Sequence, residues 1–148
     1  MNIAHILARK GARVITTRPE QSIRQALTQL AEHNIGALVV VDEGERPVGI
    51  LSERDIVRAA ARDEKMFGCS AGELMTRNVV VGLPEDDLKA VGYTMTERRI
   101  RHLPIVEKGK LVGIVSIGDV VKAQRDEYRG EAETLQAQLL GDQPGRSQ

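Results

Sequence analysis

The sequence predicts a mixed α/β (α+β) fold. Two copies of one strand–helix–strand–strand–helix unit pack with pseudo-twofold symmetry. Three observations carry that reading. Residues 14–42 align with residues 79–107, and past a turn one residue shorter the match runs on through Val48/Val112, Gly49/Gly113, Ser52/Ser116 and Asp55/Asp119. Each copy alternates short apolar runs with a segment of helical period. A unit of about 46 residues is too small to bury an adequate core alone, so the two copies should share one.

Each copy opens on a short apolar strand, 14–16 or 79–81, followed by a Pro-Glu turn. A helix comes next. In the first copy Ile23, Ala26, Leu27, Leu30 and Ala31 recur at the spacing of one helical face. Ser22 with Gln25 reads as a capping box, and Asp87 is the matching cap in the second copy. Two strands then flank a turn: ALVVV and PVGIL around DEGER, LPIV and LVGIV around EKGK. The glycine in each turn suits the positive φ of a short hairpin. The last helix of each copy opens at Ser52 or Ser116. The strands are too apolar to leave a face in water, so helices should cover them.

The expected organisation is an arm at 1–13, repeats at 14–62 and 79–125, a linker at 63–78, and a tail from 126 to 148. The arm reads as a short helix with a basic tip, Arg9 and Lys10. In the linker, Glu73, Leu74 and Met75 continue into a short helix. The tail reads as a helix to residue 140, with Ala132, Leu135, Leu139 and Leu140 on one side, and then a disordered end.

Composition excludes several classes. A chain of 148 residues suggests one domain. Lys plus Arg is 21 and Asp plus Glu is 21, so there is no basic excess for a duplex binder. The only aromatics are Phe67, Tyr93 and Tyr128, too few for a base-stacking surface. No apolar run approaches the roughly 20 residues of a membrane span. The start has no apolar stretch of signal-peptide length. A single cysteine, Cys69, makes no internal disulfide, and a reducing cytoplasm is the expected location.

The chemistry gathers at the start of each last helix. GILSERDI and GIVSIGDV both place a serine at the N-cap and an aspartate three residues on. A helix N-terminus attracts anions through its unpaired amides and dipole. The aspartate can accept from two neighbouring hydroxyls. Phosphate beside a diol is the outline of a ribonucleotide. The plainer reading of S-x-x-D is a capped helix with an acid in its first turn. Its recurrence at homologous places in both copies favours the binding reading. A second constellation is RRIRHLPIV, where Arg101 and His102 precede a strand and the first copy has Gly36 and Ala37 instead. A cation there can grip a phosphate. Arg54 lies at the tip of the first helix, with Gly118 as its counterpart, so the two places are not equivalent. Neither a dinucleotide fingerprint nor a Walker loop is present, nor metal-ligand spacing, nor a nucleophile paired with a base.

The two Gly-hydrophobic-hydrophobic-Ser-x-x-Asp loops, with ALVVVDEGERPVGILSERD and RHLPIVEKGKLVGIVSIGD, resemble a tandem cystathionine-β-synthase (CBS) domain pair. The resemblance covers about residues 10 to 125, and the chain is similar to small stand-alone bacterial proteins of one such pair. It implies a Bateman module whose clefts bind adenine nucleotides (AMP, ADP or ATP, sometimes NAD or S-adenosylmethionine). It also implies a homodimer of two modules set head to head. Residue by residue, Ser52 and Asp55 match the phosphate-side hydroxyl and ribose-binding acid of one cleft, and Ser116 and Asp119 those of the other. Gly36 and Ala37 match positions whose backbone meets adenine. Arg101 and His102 match the basic positions that contact phosphate.

The expectation is therefore a non-catalytic nucleotide sensor without a required cofactor or metal. AMP is the first choice of regulatory ligand, with NAD the other class. Tighter binding is expected at the cleft of Asp119, to which the reading assigns the Arg101 cation. One rival is a regulator or scaffold with empty clefts that docks an unidentified protein through the last helix. The other is nucleic-acid contact through Arg98, Arg99 and Arg101, which zero net charge and scarce aromatics oppose. No membrane contact is expected.

Overall fold

The computed structural model describes residues 1–11 and 13–141. The expected disordered end after residue 141 lies outside the described residues. In chain order the elements are α1 (Ile3–Lys10), β1 (Thr16–Thr17), α2 (Ile23–His33), β2 (Ala37–Val41), β3 (Pro47–Ser52) and α3 (Glu53–Arg62). A 3₁₀ turn (Glu64–Gly68) and α4 (Ala71–Leu74) follow, then α5 (Leu88–Arg98), β4 (His102–Glu107), β5 (Lys110–Ser116) and α6 (Ile117–Gly141).

The hairpins of the two copies are reproduced in matching register. β2 and β3 pair antiparallel with Ala37 opposite Ser52, and β4 and β5 pair antiparallel with His102 opposite Ser116. Both hairpins carry a register shift at the same place, between Val40 and Val41 and between Ile105 and Val106. Both helices before these hairpins end in a left-handed residue, Asn34 at φ 52° and Arg99 at φ 55°.

The opening strands are shorter than expected. β1 is two residues and runs parallel to β2. Residues 79–81 form no strand; instead Gly82 makes a single parallel bridge to Ile105. A Cβ on Gly82 would sit 2.9 Å from Leu103 Cδ2, so the close approach depends on glycine. Val79 and Val80 run along the cavity described below rather than along a neighbouring strand. The first turn differs from expectation, while the second has its glycine, Gly109, at positive φ as expected. In DEGER the left-handed residue is Glu45, not Gly44, because the Asp42 carboxylate accepts from the Gly44 and Arg46 amides and sets the loop. In EKGK both Lys108 and Gly109 have positive φ.

The largest difference concerns the core. Two hydrophobic clusters form, one for each repeat, instead of one shared core. The first joins Ile23, Leu30, Leu38, Leu51, Met66 and Ala71; the second joins Ile3, Ile6, Leu88, Met95, Leu103 and Val115. Each repeat reaches sufficient size by borrowing a segment from outside its copy. The 3₁₀ turn and α4 complete the first repeat, and α1 completes the second. The borrowed segments dock by the same backbone bonds. Ala71 N and Gly72 N donate to Gln21 O and Pro19 O, and Ile23 N donates to Cys69 O. In the other repeat Ile3 N and Ala4 N donate to Asp86 O and Pro84 O, and Leu88 N donates to Met1 O. The strand faces turned away from the clusters are buried too: Val39 and its repeat equivalent Pro104 are fully enclosed.

α6 is one continuous helix of 25 residues, not a helix ending near 125 followed by another. Nothing between Val121 and Arg129 breaks a helix, so the second repeat's last helix simply runs on. Val121, Tyr128, Leu135 and Leu139 lie exposed along it.

Candidate functional site

β3 runs straight into α3 at Ser52. Its hydroxyl accepts from the Asp55 amide at 3.1 Å, and the Asp55 carboxylate accepts from the Ser52 amide at 3.2 Å. β5 meets α6 in the same way, with 3.0 Å and 2.9 Å at Ser116 and Asp119. Both Ser-x-x-Asp pairs are thus true capping boxes. The first amide of each helix is used as well: Glu53 N donates to Gly36 O and Ile117 N to Arg101 O, both at 2.9 Å. The expected set of free first-turn amides therefore shrinks to one at each tip, those of Arg54 and Gly118. Anion binding at these tips must come mainly from side chains.

One tip faces a cavity of about 510 Å³, inside the roughly 300–1,000 Å³ range of small-molecule sites. Ser52, Arg54, Asp55 and Arg58 come to it from the first repeat. Arg98, Arg99, Arg101 and His102 come from the second. Thr76, Asn78, Val79 and Val80, on the chain entering the second repeat, form the wall between. Thr76 is fixed there by paired backbone bonds with Ile50 at 2.9 and 3.0 Å. Arg101 thus stands across the cavity from Asp55. That corrects the expectation of Arg101 serving the cleft of Asp119. The Ser52–Asp55 tip thus looks toward the helix-to-strand corner of the other repeat.

At the other tip the arrangement differs. The Lys10 ammonium donates to Asp119 Oδ2 at 2.6 Å and to Ile114 O at 3.1 Å. Arg9 pairs with Asp126 at 3.5 Å, and the terminal amine with Glu127 at 3.5 Å, so three charge contacts hold the N-terminal segment on α6. Asp119 shares a smaller hollow of about 190 Å³ with Arg9, Lys10 and Lys122. Gly36, Ala37, Ser116 and Asp119 do not line the larger cavity. Gly36 and Ala37 hold the positions at the start of β2 that Arg101 and His102 hold at the start of β4, and Gly36 offers no side chain there.

Electrostatics separate the two tips further. Burial alone would raise the Asp119 carboxyl, but the Lys10 ammonium and the Ser116 hydrogen bonds hold it below its ordinary value. Burial lowers His102, with the Lys10 and Arg101 charges adding to it and Asp119 and Glu53 opposing. The shift favours the neutral imidazole, which offers one donor and one acceptor rather than a charge. The positive charge around the cavity is carried by its arginines.

The sequence reading missed Arg58, Thr76 and Asn78. Arg58 was legible, one turn past Arg54 on the same side of a helix. Thr76 and Asn78 were assigned to the linker, and only the fold carries them into the cavity wall. Arg98 and Arg99 belong to the RRIRHLPIV constellation, and the structure brings them to the same cavity as Arg101.

The family model of the CBS domain matches residues 5–62 and 71–126. The chain belongs to the CBS family. It carries one tandem pair, the architecture of a regulatory module, and the matched models are not those of a catalytic domain. A CBS-domain-containing protein of Agrobacterium tumefaciens is 41% identical in its solved structure, with a TM-score of 0.79 covering 84% of this chain and 99% of that one. A CBS domain pair solved with 5′-methylthioadenosine and S-adenosylmethionine is 30% identical, with a TM-score of 0.75 over 86% of this chain and 98% of its own. The mitochondrial CBS domain-containing protein CBSX3 of Arabidopsis thaliana is 36% identical over 127 residues; the match takes in 82% of this chain and 62% of that protein's length. Among the described residues, no helix is long and apolar enough to cross a membrane, and no cluster of three or more His, Cys, Asp or Glu is placed to hold a metal ion.

Proposed function

We propose that this CBS pair is a non-catalytic sensor of adenine nucleotides, and that its ligand occupies the Asp55 cavity. The observation that carries the reading is the meeting of Ser52 and Asp55 of one repeat with Arg101 and His102 of the other across a single cavity. The carboxylate suits a ribose diol, the guanidinium suits phosphate, and the apolar wall of Ile50, Val79, Val80 and Ile100 suits a base. The similar CBS pair solved with two adenosine derivatives supports the same ligand class. The resemblance had named AMP first, with ADP, ATP and NAD beside it.

The cleft of Asp119 drops to second rank in this reading, because an ammonium of the chain's own N-terminal helix already sits on its carboxylate. A nucleotide in the Asp55 cavity touches both repeats. It therefore shifts their relative arrangement by as much as its affinity differs between arrangements. We propose a homodimer as the working unit, and a protein partner as the reader of the change.

Isothermal titration of the full chain with AMP, ADP, ATP and NAD tests the reading. Saturable binding of at least one is expected, lost in Asp55→Ala. Absence of binding by all four, together with a protein partner that co-purifies, would support the scaffold reading, which the exposed stripe on α6 favours.

A further inference from the structure

We infer that the cavity selects adenosine polyphosphates over AMP and over cationic sulfonium ligands; this rests on the nucleotide reading above. Five arginines line it, Arg54, Arg58, Arg98, Arg99 and Arg101, all of them exposed to solvent, against one acidic residue, Asp55. None of the five makes an ion pair or a side-chain hydrogen bond among the described residues, although the chain as a whole carries as many acids as bases. The concentration of positive charge is therefore local to this cavity and not a property of a basic protein.

Holding five like charges around one cavity without partners is unfavourable, and a polyanion relieves it. A single phosphate brings about −1.5 to −2 at neutral pH, too little to balance five cations less one anion. Each added phosphate brings further charge and further acceptor oxygens. All five groups are arginines, whose planar forks bind phosphate oxygens in pairs, and lysine takes no part. Arg54 and Arg58 stand one turn apart on α3, while Arg98, Arg99 and Arg101 crowd the corner between α5 and β4. The cations thus approach from both repeats, and a phosphate chain can run between them. The same field repels the sulfonium of S-adenosylmethionine, which the similar CBS pair accommodates.

Titration calorimetry with AMP, ATP, inorganic tripolyphosphate and S-adenosylmethionine, at low and moderate NaCl, tests this. ATP is expected to bind at least tenfold tighter than AMP, with S-adenosylmethionine weakest and the ATP preference shrinking as salt rises. Replacing one cation from each repeat, Arg58→Gln with Arg98→Gln, is expected to weaken ATP more than AMP and so bring the ATP-to-AMP affinity ratio toward one. A melting curve checks that the variant folds; should it not, the salt dependence of the unsubstituted protein decides. Equal affinity for AMP and ATP in the unsubstituted protein overturns the inference and leaves the adenosine reading standing. Tripolyphosphate binding as tightly as ATP, unaffected by Asp55→Ala, overturns the adenosine reading and keeps the charge selection. No binding by any of the four overturns both.

Discussion

The Lys10 ammonium lies 2.6 Å from Asp119 Oδ2, on the acid whose repeat counterpart, Asp55, faces an open cavity. A lysine from the last turn of an N-terminal helix thus makes two homologous sites unequal. The contact should be visible in the carboxylate itself. In Lys10→Met the Asp119 carboxyl is expected to titrate at higher pH than in the unsubstituted chain, since burial then acts with less opposition. Carbon-detected NMR titration of the aspartate side chains measures it. An unmoved Asp119 titration would show that the two groups do not pair in solution.

The inequality extends to binding. Asp55→Ala removes a charge-assisted contact and should cost about 1.5–3 kcal/mol, roughly 10–150-fold in nucleotide affinity. Asp119→Ala should change the same affinity by less than about threefold, roughly 0.7 kcal/mol. Calorimetry on both variants compares them, and the reverse order would move the site to the other tip.

His102 gives a dependence on pH. Its folded value is depressed by burial and by neighbouring cations. The unfolded chain therefore takes up the proton first, and stability is lost as pH falls below about 6.5. Above that value the contribution is fully present. Urea unfolding at pH 7.5 and 5.5 should show a smaller loss in His102→Gln than in the unsubstituted protein. An identical loss would place the proton uptake elsewhere.

Two glycines five residues apart, one in β5 and one in α6, should respond in opposite ways. A Cβ on Gly113 would lie 2.6 Å from Leu7 Cδ2, in the seam where α1 docks on β5. Gly113→Ala should cost about 1–3 kcal/mol through overpacking. At Gly118 the nearest atom is Ser116 Oγ at 3.6 Å, and the helix gains from alanine, so Gly118→Ala should be neutral or stabilising by about 0.5–1 kcal/mol. Thermal unfolding of the two variants separates them. A stable Gly113→Ala would mean that α1 packs less tightly than the structure shows.

Much of the fold was legible because the repeat displays each signal twice. Ser52 and Ser116 both start helices, and Ser22 forms the capping box its Gln25 promised. The two-cluster core was not legible, since no local pattern says that Ile3 and Ile6 belong with Leu88 and Leu103. That pairing depends on backbone bonds between segments far apart in sequence. The same holds for the site. Asp55 and Arg101 were each picked out, but their partnership follows from which repeat faces which. Lys10 was visible only as a basic tip; its role comes from where the docked helix ends.

The most direct measurement is a crystal structure of the full chain grown with ATP. Expected is a nucleotide between the repeats, its sugar hydroxyls on Asp55, its phosphates among Arg58, Arg98 and Arg101, and Lys10 still seated on Asp119. A nucleotide bound at Asp119 with Lys10 displaced, or water alone beside Asp55 at saturating ATP, would contradict it.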